Sequence, residues 1–123
     1  MDRVTAPPRR VRVVLADLSP LLRDIIGENV ALEADMTVVA ELSDTARLLS
    51  VIREPGAEVV IMGCDPTTSP GLIAEMLGVA PRLKVICLET DRHEATLHEL
   101  KLGSTTFANP SVDNLIAAIR TVV

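Results

Sequence analysis

The chain has 123 residues, 48% of them hydrophobic, and a formal net charge of −5 at pH 7. That is enough apolar material for one domain with its own core, and it excludes a disordered tail. Phe107 is the single aromatic residue, which argues against a module that stacks bases on rings, and an acidic chain gains no counterion-release affinity for DNA or RNA.

The opening "MDRVTAPPRR" is polar, with Pro7 and Pro8 adjacent. It reads as a flexible lead over residues 1–10, and Arg9, Arg10 and Arg12 as a solvated basic cluster. No apolar signal-peptide core precedes Arg12, and no run is long enough to span a bilayer, so a soluble cytoplasmic protein is expected. "VRVVLA", residues 11–16, is β-branched and reads as a buried strand. Ser19 and Pro20 then give a cap-and-proline helix start, with Leu22, Ile25, Ile26 and Val30 on one face. "MTVVAEL" predicts a second strand. Ser43 is expected to cap a second helix, with Leu48, Leu49 and Ile52 inward and Pro55-Gly56 as its stop.

"EVVIM" predicts a third strand, followed by the turn "GCDPTT" and a third helix from Ser69-Pro70 through Leu72, Ile73, Met76 and Leu77. "KVICL" predicts a fourth strand. Asp91 and Glu94 form a capping-box-like pair that opens a fourth helix, closed by Gly103. "STTFA" reads as a fifth strand, and Leu115, Ile116, Ile119 and Val122 as the inner face of a last helix. The expected architecture is α/β: a (βα)5, doubly wound, five-stranded parallel sheet with strand order 2-1-3-4-5, spanning residues 11–123. Sites in such folds gather at the carboxyl ends of the strands.

Several segments resemble bacterial response-regulator receiver domains, most of all those of LuxR-type regulators. They are "RVVLADLSPLLRDIIGENV", "DMTVVAELSD", "AEVVIMGCDPTTSPGLI", "PRLKVICLET" and "KLGSTTFANPSVDNLIAAI". The resemblance covers about residues 11–122 and implies the flavodoxin-like receiver fold. It also implies a phosphorylation pocket, and there this chain departs from the pattern. Asp17 fills the first position of the Mg²⁺-holding acidic pair, but Leu18 fills the second. The phospho-accepting aspartate falls on Gly63, and the hydroxyl that senses the phosphoryl group falls on Glu89. With Pro110 as anchor, the phosphate-pairing lysine falls on Asn109. Glycine offers no side chain to phosphorylate, and phosphoryl transfer needs a metal to neutralise its oxygens. The expectation is a degenerate pseudo-receiver with no catalytic residues, bound metal or cofactor.

The remaining candidates are weaker. Asp65, before Pro66, suits a turn residue more than a displaced acceptor. Asp17, Asp65 and Glu89 are enough carboxylates for a divalent cation, but solvated loop acids are the commoner case. Cys64 and Cys87 make no secreted-type disulfide framework; a redox pair and two small buried hydrophobes are both open. His93 and His98 lack the spacing of paired ligands on a helix. No acid–base pair, nucleophile–His pair or phosphate-binding glycine loop points to an enzyme.

The function expected is therefore a phosphorylation-independent signalling module that acts on a signal-transduction or transcription partner by protein–protein contact. By resemblance, its homodimer or partner face lies on the fourth helix, fifth strand and fifth helix, at Leu100, Lys101, Phe107, Ile116 and Arg120. Direct nucleic-acid or membrane binding is not expected; no output domain follows Val123, so any effect on DNA is expected to pass through another protein. The alternative is a small-ligand or metal sensor that uses the emptied pocket at the strand edge.

Overall fold

The structure, a computed structural model, describes residues 10–64, 69–89, 94–99, 103–108, 115–117 and 119. The predicted lead therefore lies almost wholly outside the described residues, as do Asp65, His93, Leu100, Lys101, Asn109, Arg120 and Val122. The described chain runs β1 (Val11–Ala16), α1 (Pro20–Ala31), β2 (Met36–Leu42), α2 (Leu48–Val51), β3 (Val59–Gly63), α3 (Ser69–Val79), β4 (Lys84–Glu89), β5 (Glu94–Glu99) and β6 (Gly103–Ala108). Residues 115–117 and 119 are helical.

One sheet joins all six strands in the order β2-β1-β3-β4-β5-β6. The first four pair in parallel, with β1 between β2 and β3. Their apolar residues alternate between two cores because successive side chains point to opposite faces. Val13, Leu15, Ile61 and Ile86 join Ile26 and Val30 of α1, together with Leu115 and Ile119, on one face. Val14, Val60, Met62 and Val85 join Leu48 of α2 and Ile73 and Met76 of α3 on the other. Burial on both faces is why β1, β3 and β4 read as largely apolar runs.

The second half of the sheet departs from the (βα)5 expectation. β5 lies antiparallel to β4, and β6 antiparallel to β5. The predicted fourth helix is thus replaced by a strand over Glu94–Glu99, and the "STTFA" segment is the sixth strand rather than a fifth strand beside β4. The cause is visible in "EATLHE": Ala95 and Leu97 are buried while Thr96 and His98, between them, are half-buried. That is a period of two, and it lets the segment satisfy the open edge of β4.

Local signals explain the helix ends. Ser19 caps α1, its hydroxyl accepting from the Leu22 N–H at 3.3 Å, with Pro20 at the first helical position. Ile25, expected inward, is exposed, as are Leu21 and Leu32. Ser43 does not cap α2. Asp44 instead folds an Asx turn, its carboxylate accepting from the Ala46 N–H at 2.9 Å, and the helix begins only at Leu48. After Val51 the helix loosens into a wide turn over Ile52–Gly56, broken at Glu54 (φ −152°, ψ 117°). Glu54 precedes Pro55, whose ring forces the residue before it into extended backbone. Gly56 then takes φ +92°, a left-handed conformation that glycine adopts without strain. Arg12, grouped above with the basic cluster, lies in β1 as predicted and pairs with Glu58 at 3.9 Å.

His98 gives this half of the sheet a pH signature. It lies in β5 opposite Val85, and burial lowers its imidazole pKa from the ordinary 6.5. The unfolded chain therefore takes up a proton at higher pH than the folded one. Stability is complete above 6.5 and is lost as pH falls through the lower folded value. Urea midpoints should fall between about pH 7.5 and about pH 5.5, and His98→Gln should reduce that fall.

Candidate functional site

β1, β3 and β4 end side by side, and their carboxyl ends build the site. Asp17, Leu18, Ser19, Leu22, Gly63, Cys64 and Leu88 line an open hollow of about 260 Å³. Two of the five pocket positions predicted from the sequence, Asp17 and Gly63, lie against each other. Leu18 lines the same hollow, Glu89 ends β4, and Asn109 lies outside the described residues.

Gly63 explains how the site is closed. A Cβ built there would overlap the backbone carbonyl oxygen of Asp17. The end of β1 thus occupies the space in which a residue-63 side chain would begin. Asp17 reaches this position with φ +53°, the left-handed region that Asp and Asn tolerate better than other side-chain-bearing residues. Its N–H donates to the Leu42 carbonyl at 3.0 Å, which anchors the turn to the end of β2. Asp17 therefore has a backbone role at this edge, and its side chain is exposed.

Leu18 lines the hollow from the core side. It is 7% exposed and packs in the core beneath α1. Where the resemblance would place a metal-binding carboxylate, the chain buries an isobutyl group. An apolar side chain in that place gains about 1.5–3 kcal/mol from burial and offers no ligand. Among the described residues, no group of three or more His, Cys, Asp or Glu stands close enough to hold a metal ion. Glu89 is half-buried and pairs across the sheet with Glu94.

The sequence reading left the cysteines open between a redox pair and two buried hydrophobes. The structure joins them. Cys64 and Cys87 form a disulfide, with Cα atoms 5.4 Å apart and a sequence separation of 23. Cys64 follows β3 directly, its N–H donating to the Leu88 carbonyl at 3.2 Å. Cys87 lies opposite Met62 in the β3–β4 register. Residues 62, 64 and 87 share the sheet face covered by α2 and α3. The signal was present in the sequence, since both cysteines lie near the ends of neighbouring strands, but the register that brings them together was not.

Of the predicted interaction face, Ile116 is buried in the core at 8% exposure and offers nothing to a partner. Phe107 lies in β6, the last strand of the sheet. Among the described residues, no helix is long and apolar enough to cross a membrane.

No family model matches the chain. It is 26% identical over 116 residues to an uncharacterized transcriptional regulatory protein, YxjL, of Bacillus subtilis (strain 168). The match takes in 90% of this chain and 53% of that protein, so the chain spans about half the length of the curated relative it matches. By sequence, the chain is weakly similar to part of a transcriptional regulator.

Proposed function

We propose that this chain is a receiver-like, non-enzymatic signalling module that works without phosphorylation, by protein–protein contact with a signal-transduction or transcription partner. The observation that carries this reading is the Asp17 carbonyl seated over Gly63. A receiver's switch needs an acceptor carboxylate there and a metal beside it. Here the acceptor position has no side chain and no room for one, and Leu18 is committed to the core. What such a fold retains is its surface. The similarity to a transcriptional regulatory protein supports the regulatory part of the reading.

The contact face proposed is the region of Leu100, Lys101, Phe107 and Arg120, without Ile116. β6 brings to it an edge strand at the end of the sheet, a surface on which a further strand can pair. Light scattering across a concentration series, together with pull-down of partners, tests this. A dimer or a reproducible complex is expected, unchanged by a small-molecule phosphoryl donor with Mg²⁺. A monomer at every concentration, with no partner captured, would count against it.

A second reading is favoured by the hollow itself, whose walls combine the Asp17 and Ser19 positions with apolar Leu18, Leu22 and Leu88. It would suit a small ligand with one polar end. The burial of Leu18 in the core, which closes one side of the site, favours the interaction module over this sensor.

A further inference from the structure

We propose that Cys64 and Cys87 form a reversible thiol–disulfide redox site that sets the state of the sheet edge beside Gly63. Three observations carry it. First, the fold does not need the bond as a staple. Two apolar cores pack on the two faces of the sheet, and disulfides as structural necessities belong to domains too small to bury such cores. Second, the two cysteine residues differ in exposure. Cys87 is 2% exposed in β4, while Cys64 is half-buried and lines the open hollow. An incoming thiolate therefore has one sulfur to attack. Third, the sequence holds two cysteines and no others. Exchange within the chain has one possible disulfide product, and scrambling cannot compete with it.

The chemistry balances as a two-electron exchange with an external dithiol or two monothiols. One external thiolate attacks Cys64 Sγ; the Cys64–Cys87 bond breaks, and Cys87 leaves with the electron pair and takes up a proton. A second thiol, of the same dithiol or of a second monothiol molecule such as glutathione, loses its proton and attacks the external sulfur of the mixed disulfide, and Cys64 leaves as thiolate and is protonated. The protein gains two electrons and two protons, and the external thiols become a disulfide. Oxidation runs the same steps backwards with a low-molecular-weight disulfide as acceptor. Cys87 leaves into apolar surroundings, among Met62, Val85 and Met76. Such surroundings disfavour its thiolate and slow reduction relative to an exposed bond. In the oxidised form Cys64 is tied across to β4, so the backbone just after Gly63 is fixed at the rim of the hollow. In the reduced form that tie is absent.

This proposal does not rest on the receiver-like reading, and thiol counts are unaffected if that reading fails. The test equilibrates the purified chain in buffers of stepped reduced-to-oxidised glutathione ratio, quenches with an alkylating agent and reads intact mass. The expected result is a reversible transition in which both thiols appear together, with the oxidised form melting roughly 10 °C above the reduced form. In Cys87→Ser, Cys64 should accept a glutathione; in Cys64→Ser, Cys87 should stay unmodified in the folded protein. A chain that forms no disulfide at any ratio would overturn the proposal. So would a bond that persists across the whole range until the protein is unfolded, or a glutathione that enters at Cys87 rather than Cys64.

Discussion

Gly63→Asp, which returns a carboxylate to the position where a receiver is phosphorylated, is expected to destabilise the protein and to leave it unable to accept a phosphoryl group. The reason is the Asp17 carbonyl, which a Cβ at residue 63 would overlap. That oxygen is backbone, fixed by the Asp17 N–H to Leu42 hydrogen bond and by the turn into α1. It cannot swing aside as a long side chain would. Overpacking of this kind costs about 1–3 kcal/mol, which lowers the melting temperature by roughly 4–12 °C in a domain of this size. Gly63→Ala should show the same sign. That sign is diagnostic, because replacing glycine within a strand normally gains stability. Gly71, in the first turn of α3, supplies the control. A Cβ there meets nothing within 4 Å, so Gly71→Ala should be neutral or stabilising by about 0.5–1 kcal/mol. Thermal unfolding of the three variants separates a filled position from a merely vacant one. Equal gains at residues 63 and 71 would mean that the space over Gly63 is open.

Leu18→Asp should be more damaging still. The substitution restores the acidic pair of the resemblance, yet it places a carboxylate where a 7% exposed leucine now packs against the α1 side of the sheet. It forfeits the apolar burial and leaves a polar group without water. Together these cost roughly 3–5 kcal/mol, a fall in melting temperature of more than about 10 °C. Leu18→Met, which conserves volume and polarity, should cost less than about 1.5 kcal/mol. Mg²⁺ should not rescue Leu18→Asp. A variant as stable as the parent, or one whose melting temperature rises with Mg²⁺, would place residue 18 in a solvated metal site. The double variant Leu18→Asp/Gly63→Asp is not expected to be additive, since both side chains contend for the space around the end of β1.

The parts of the fold that were legible are those in which several local signals agree. β1, β2, β3 and β4 are short runs rich in Val and Ile, and α1 has Ser19 and Pro20 at its start. Where signals compete, local pattern and structure differ. Asp91 and Glu94 suggest a helix start, while Ala95, Thr96, Leu97 and His98 alternate as a strand. The neighbour that decides between them is the open edge of β4, which no local window contains. Ser43 is a good cap by residue type, but the chain folds an Asx turn at Asp44 and α2 begins at Leu48 with no side-chain cap.

The site divides the same way. That position 63 lacks a carboxylate and position 18 is apolar could be read directly from the residues and the resemblance. That the Asp17 backbone would take a left-handed turn and occupy the empty place could not, because it depends on how β1 and β3 end together in space. The Cys64–Cys87 bond is of the same kind. Its two residues are visible in the sequence, but their meeting depends on the parallel register that sets Met62 opposite Cys87.

On the function proposed, the chain's own backbone fills the acceptor position and no phosphoryl group is taken up. Intact-mass spectrometry of the native protein, after incubation with Mg²⁺ and a small-molecule phosphoryl donor, tests that claim most directly. An unchanged mass is the predicted result. A gain of one phosphoryl group, mapped to Asp17 or Asp65, would contradict it.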